Sequence, residues 1–173
     1  MTAITAIPRS RQVLFVVHAL GLSLLIAASA HINVPFWPVP MTLQTFAVVL
    51  IAATAGTSLG LAAMVAYLIE GALGLPVFAS GVGAAVLVGP TAGYFAGMVA
   101  AMVIVGTARG GVQTAIGMLA ATCMIYLAGA VWLAQFVGID RAIAMGVIPF
   151  LLGDLVKMAL AWTVARVALR SRA

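Results

Sequence analysis

Asp154 and Lys157 lie three residues apart in Pro149-Phe150-Leu151-Leu152-Gly153-Asp154-Leu155-Val156-Lys157. On a helix, positions i and i+3 share a face, so a carboxylate and an ammonium project together from a stretch with no other charge. A carboxylate accepts from N–H groups, and an ammonium donates to a carbonyl or to an acid. Three chemistries use such a pair: a polar ligand site, a proton relay through Asp154, or an ion pair that neutralises itself. The remaining reactive residues point less clearly. Glu70 reads as a solvated carboxylate at a helix end. His18 has no second ligand at metal spacing, His31 sits at an interface with Asn33, and Cys123, the only cysteine, reads as a small buried apolar residue. One cysteine excludes a disulfide framework or a cysteine metal site within the chain.

The surroundings of the pair decide how much it costs. Hydrophobic residues make up 65% of the 173, and charged residues only 6%, against about 25% in a soluble domain. No Asp, Glu, Lys or Arg occurs in 12–69, 71–108 or 110–139. About 20 apolar residues span a bilayer, so these runs read as lipid-embedded. The net charge of +5 does not suggest nucleic acid, because the arginines are scattered at the ends of apolar runs. Counting back from Arg166 at 1.5 Å per residue, Lys157 is about 13 Å inside the membrane. A charge at that depth costs roughly 2.5–3.5 kcal/mol on insertion scales and usually faces the bundle interior for a functional reason.

Gly, Pro and polar clusters divide the chain into predicted helices at 12–30, 43–55, 58–74, 92–107, 112–135 and 143–168. The fold class is an all-α membrane protein of six transmembrane helices, a single substrate-binding domain over 1–173. No apolar/polar alternation supports a barrel. The first run, 13–30, is longer than a signal-peptide core and reads as a retained helix. With the N-terminus inside, Arg9, Arg11, Arg109, Arg166, Arg170 and Arg172 fall on the inner ends and Arg141 alone outside. That asymmetry places both termini in the cytoplasm and the chain in the cytoplasmic membrane.

The segments 43–55 and 92–107 are short for a bilayer of about 30 Å at 1.5 Å per residue. Each follows a long loop, 31–42 or 75–91. Irregular backbone at membrane depth survives only inside protein or against a cavity, so both loops are expected to roof a pocket on the outer side. Trp37 either joins Trp132 and Trp162 in interfacial belts or lies in that roof, where a flat apolar ligand would stack on it. Small residues recur at helical spacing in Gly93, Gly97 and Ala101, in Gly117 and Ala121, and in Ala19, Ser23 and Ala27. Such faces allow close helix approach. The first two read as internal packing, and the third is free to face a partner.

Catalytic machinery is missing from the pattern. There is no HExxH, no GxSxG with usable partners and no Gly-Lys-Ser/Thr phosphate loop, so the chain reads as a binder and not an enzyme, with no metal or cofactor. If it belongs to a pump, the ATPase is another subunit. A stand-alone proton-coupled transporter using Asp154 is the alternative.

Four ordered motifs are more specific. Val39-Pro40-Met41-Thr42-Leu43-Gln44-Thr45, Gly71-Ala72-Leu73-Gly74-Leu75-Pro76-Val77-Phe78 and Gly89-Pro90-Thr91-Ala92-Gly93-Tyr94 precede the Asp154/Lys157 segment. Together they resemble the BioY family, the biotin-specific S components of energy-coupling factor (ECF) transporters, from about residue 27 to the last helix. The resemblance implies a six-helix S-component fold with an outward-facing biotin pocket. It implies that Asp154, Lys157 and the loop around Ser80 contact biotin, with Gln44 and Tyr94 nearby. It also implies a membrane-embedded T subunit, onto which Ala19, Ser23 and Ala27 would dock, and two ATP-binding ABC-type subunits. Biotin carries a neutral ureido ring, an apolar sulfur ring and an acidic tail, and Lys157 is free to meet either the ureido carbonyl or the tail carboxylate.

Overall fold

The computed structural model describes residues 9–170. Arg172, counted above among the inner arginines, lies outside them. The helices are α1 (Arg9–His31), α2 (Gln44–Ala72), α3 (Ala92–Gly106), α4 (Gly111–Val137), α5 (Ile139–Gly146) and α6 (Leu151–Arg170). Two short strands, β1 (Asn33–Val34) and β2 (Met41–Thr42), pair antiparallel with Asn33 opposite Thr42. Four stretches are long and apolar enough to cross a membrane: Arg9–His31, Gln44–Ala72, Gly111–Val137 and Ile139–Arg170, the last spanning α5 and α6. The chain is therefore a multi-pass membrane protein. α3 is apolar but only 15 residues long, about 22 Å at 1.5 Å per residue.

The elements follow the expected helices except in the last segment. The expected helices 43–55 and 58–74 are the two halves of α2, joined at Gly56, whose φ of 78° and ψ of 175° leave the helical region; the halves fold back on each other, since Gln44 and Tyr67 meet in a 2.8 Å hydrogen bond. Only glycine adopts that left-handed φ at little cost. At the other end, the segment expected at 143–168 is split. α5 is followed by a 3-10 turn, Ile148–Phe150, and α6 starts only at Leu151. Pro149 lies in that turn and has no N–H to continue a helical ladder.

Large side chains are found both in the core and on the outer surface, and small residues let the helices approach closely. α3 packs on α2 and α4, α1 packs on α2, and α6 packs on α2 and α4. A Cβ at Gly97 would lie 2.5 Å from the Ile125 Cα, and one at Gly93 would run into the Ala128 carbonyl oxygen. The Gly93, Gly97 and Ala101 face is thus an internal seam, as are Gly117 and Ala121, buried on α4.

Three residue-level expectations are corrected by the packing. Ala19, Ser23 and Ala27 are all buried, so they form the α1–α2 seam and not a free docking face. Their small size allows α2 to approach, while Val13, Val17, Leu20 and Leu24 point outward. Glu70 is not a solvated helix-end carboxylate: its Oε1 accepts a 2.7 Å hydrogen bond from the Ser23 hydroxyl. Its Oε2 is buried with no partner among the described residues. Cys123 is exposed on α4 and not buried.

Candidate functional site

Three helices start around one cavity. The first turn of α2 supplies Gln44 and Thr45, the start of α3 supplies Thr91, Tyr94 and Phe95, and Asp154 and Lys157 come from the beginning of α6. α4 contributes Ile125 and Tyr126 from its middle. The two long loops close the remaining sides with Val39, Pro40, Met41 and Thr42 from one and Ala79 and Ser80 from the other. Both loops therefore take part in the cavity, which is how irregular backbone is tolerated at this depth. The hairpin of β1 and β2 holds the first loop, and His31 Nε2 lies 2.8 Å from the Pro76 carbonyl of the second.

The charged pair forms the polar floor. Asp154 is 3% exposed. Lys157 Nζ donates to Asp154 Oδ1 at 2.7 Å and to the Thr42 carbonyl at 2.7 Å. The Thr45 hydroxyl donates to the same Oδ1 at 2.9 Å, and its oxygen lies 3.4 Å from Nζ. Tyr126 donates to the other oxygen, Oδ2, at 2.7 Å. Two opposite charges so close cancel, and the hydrogen bonds around them reduce the desolvation that a buried ion pair otherwise suffers. The start of α6 also favours a negative group in its first turn, where Asp154 stands. The carboxylate retains acceptor capacity at Oδ2, since an ionised acid offers about four lone-pair directions.

Of the residues expected to bind substrate, Asp154, Lys157, Ser80, Gln44 and Tyr94 line this one cavity. Trp37 does not. It is 77% exposed and lines a wider recess above, with Phe36, Pro38, Val82, Ala85 and Pro90. Gln44 and Tyr94 are engaged in the protein itself. Gln44 Nε2 donates to Tyr67 Oη at 2.8 Å, and Tyr94 Oη donates to the Gly146 carbonyl at 2.8 Å. Both therefore shape the wall. Tyr126 and Thr45 bond Asp154 directly, yet sequence reasoning does not single them out. Tyr126 stands alone in an apolar helix with no motif around it. Thr45 belongs to a motif whose register against α6, 109 residues away, no sequence pattern specifies. Tyr67 escapes it as well: fully buried, it accepts from Gln44 and donates to the Val77 carbonyl, tying α2 to the second loop.

His18 Nδ1 lies 2.7 Å from the Leu14 carbonyl of its own helix. Among the described residues no three of His, Cys, Asp and Glu come together as a metal-binding group.

A buried ion pair at the floor of a largely apolar cavity, within a multi-pass helical bundle, defines a membrane protein with an internal pocket. Residues 4–173 match the family model described as BioY family. The chain is 43% identical over 143 residues to the probable biotin transporter BioY of Pyrococcus horikoshii, covering 82% of this chain and 87% of that protein. It is 40% identical over 147 residues to the biotin transporter BioY of Thermotoga maritima, at the same coverage of each chain. This chain belongs to the BioY family. Its fold also matches a 2.1 Å crystal structure described as the S-component for biotin from an ECF-type ABC transporter. The TM-score is 0.80 at 22% identity, over 96% of this chain and 95% of the other.

Proposed function

We propose that the chain binds biotin and mediates its uptake across the cytoplasmic membrane as the substrate-specific subunit of an ECF-type transporter. The Asp154–Lys157 pair in the cavity carries this reading. A ureido N–H can donate to Asp154 Oδ2, and the ureido carbonyl can accept from Lys157 in place of the weak 3.4 Å contact with Thr45. That arrangement leaves the buried floor neutral. The tail carboxylate in the same place would add a second negative charge beside Asp154, and an unpaired buried charge is strongly unfavourable. The ring system thus enters first, against Tyr94, Phe95, Met98 and Ile125, and Asp154, Lys157, Ser80, Gln44 and Tyr94 form its surroundings. A membrane-embedded T subunit and two ATP-binding ABC-type subunits are the proposed partners, in keeping with the likeness to an ECF S-component and to biotin transporters. Purified chain should bind radiolabelled biotin reversibly and leave pantothenate and riboflavin unbound. Absence of saturable biotin binding by folded protein would reject the reading.

The proposed topology has six membrane segments, counting the two halves of α2 separately, with both termini cytoplasmic. Arg166 and Arg170 line one recess with Gly110 and Gly111, next to Arg109, which gathers these arginines at one end of the bundle. Cytoplasmic ends carry such an excess. A reporter fused after Ala173 should read cytoplasmic and a tag inserted at Asp140 external; an external C-terminus would overturn this arrangement.

A further inference from the structure

The space around the floor is divided unevenly. The inner cavity measures about 60 Å3, and the recess above it about 560 Å3. They share Pro40, Ala79, Ser80 and Thr91, so the two spaces adjoin. A pocket that encloses a whole drug-sized ligand usually measures about 300–1,000 Å3. The inner cavity is far below that, so a ligand seated on the floor must extend into the recess.

The two spaces differ in charge as well as in size. The inner lining holds Asp154 and Lys157, already paired with each other at 2.7 Å. Among the described residues, the recess lining holds no Asp, Glu, Lys, Arg or His. Its polar side chains are those of Asn33, Ser80 and Thr91, and its walls are otherwise Pro, Gly, Ala, Val, Phe and Trp. Asn33 Nδ2 is turned to its own backbone, donating to the Ala30 and His31 carbonyls at 3.2 Å. A carboxylate held as a charge normally meets Arg or Lys in a charge-assisted contact. The recess offers a ligand's tail no such partner, only space and apolar surface.

We infer that the site recognises the fused-ring head and is indifferent to the charge of the tail, so that neutral tail amides of biotin are ligands of the same site. This rests on the proposed biotin reading and extends its substrate class from the free acid to head-containing conjugates with a slender amide tail. The recess is several times larger than the inner cavity, so it has room for a tail longer than the five-carbon acid. Trp37, Phe36 and Val82, exposed on its rim, supply apolar surface for one.

The test is competition against radiolabelled biotin on the purified full chain, using biotinamide and biotin methyl ester. Each neutral derivative should displace biotin within about tenfold of unlabelled biotin itself. Removing a charge-assisted contact to the tail would instead weaken displacement roughly 13- to 150-fold. A loss of more than tenfold for both the amide and the ester, with free biotin binding normally, overturns the inference and leaves the proposed function standing. Failure of free biotin to bind rejects the proposed function itself, so the two failures are distinguishable. A second arm uses Ala85→Arg, which places a cation in the recess outside the floor. In that variant free biotin should gain affinity over biotinamide. An unchanged ratio in folded protein shows that the tail does not pass through the recess and overturns the inference.

Discussion

Asp154→Asn is expected to weaken biotin binding by about 2–4 kcal/mol, roughly 30- to 1,000-fold, while the protein remains folded. The carboxylate accepts on both sides, from Lys157 and Thr45 at Oδ1 and from Tyr126 at Oδ2. An amide has one accepting oxygen. If its NH2 replaces Oδ1, it confronts the Lys157 ammonium. If it replaces Oδ2, it confronts Tyr126 and the position that would accept a ureido N–H. Either orientation also strands the Lys157 charge, held otherwise by the Thr42 carbonyl and weakly by Thr45. Lys157→Met keeps much of the apolar stem and removes the donor, and should weaken binding to a similar degree.

The double variant Asp154→Leu, Lys157→Met separates a ligand site from an ion pair that serves only the fold. A paired deletion removes both buried charges together and can restore stability that a single deletion loses. For a purely structural pair it would also restore binding; for a ligand site the double variant is stable and does not bind. Biotin affinities of the two single variants and the double, each measured beside its melting temperature, decide the matter. Near-wild-type affinity in a well-folded Asp154→Asn protein would end the ligand-site assignment. A protein that binds normally but no longer transports would make Asp154 a proton carrier.

Gly97→Val should be strongly damaging although Gly97 does not line the cavity. A Cβ at this position would meet the Ile125 Cα at 2.5 Å and the Met124 carbonyl oxygen at 3.2 Å. These are backbone atoms of α4, so no rotamer change relieves the clash. The helices must move apart, which also displaces Tyr126 and the Asp154 bond it makes. The cost should lie at or above the upper end of the roughly 1–3 kcal/mol typical of overpacking. Gly21→Ala is the control, because a Cβ at Gly21 meets nothing within 4 Å. In detergent, Gly97→Val should lose most of its monodisperse protein or melt well below the parent, and Gly21→Ala should match it. A Gly97→Val chain that melts with the parent would show that α3 and α4 do not approach this closely.

The burial of Ala19, Ser23 and Ala27 changes what a coupling surface can consist of. The side of α1 left free presents Val13, Val17, Leu20 and Leu24. Small residues at helical spacing report that two backbones approach, but not which two. In this chain the partner is α2, and Ser23 completes the seam by bonding Glu70, 47 residues further on.

What the sequence determined by itself follows from local and compositional physics. Charge-free runs long enough to cross lipid imply membrane helices whatever the neighbours do. Two charges deep in such a run imply an interior site, because their cost in hydrocarbon leaves few other places for them. Short helices behind long loops imply a cavity, because backbone polar groups at that depth need partners. The loops around the pocket were legible for the same reason, and the break near Gly56 from the Gly and polar residues that interrupt the apolar run. Only the tertiary structure decided which helices meet. It brought Tyr126 of α4 and Thr45 of α2 to the two oxygens of Asp154. It turned Gln44 and Tyr94 into supports of the wall, placed Trp37 out on the rim, and bonded Glu70 to Ser23. In a chain this apolar, hydrophobicity cannot distinguish the face toward lipid from the face toward another helix. Close packing of small residues and the satisfaction of a few polar groups make that choice, and both depend on pairs of residues far apart in sequence.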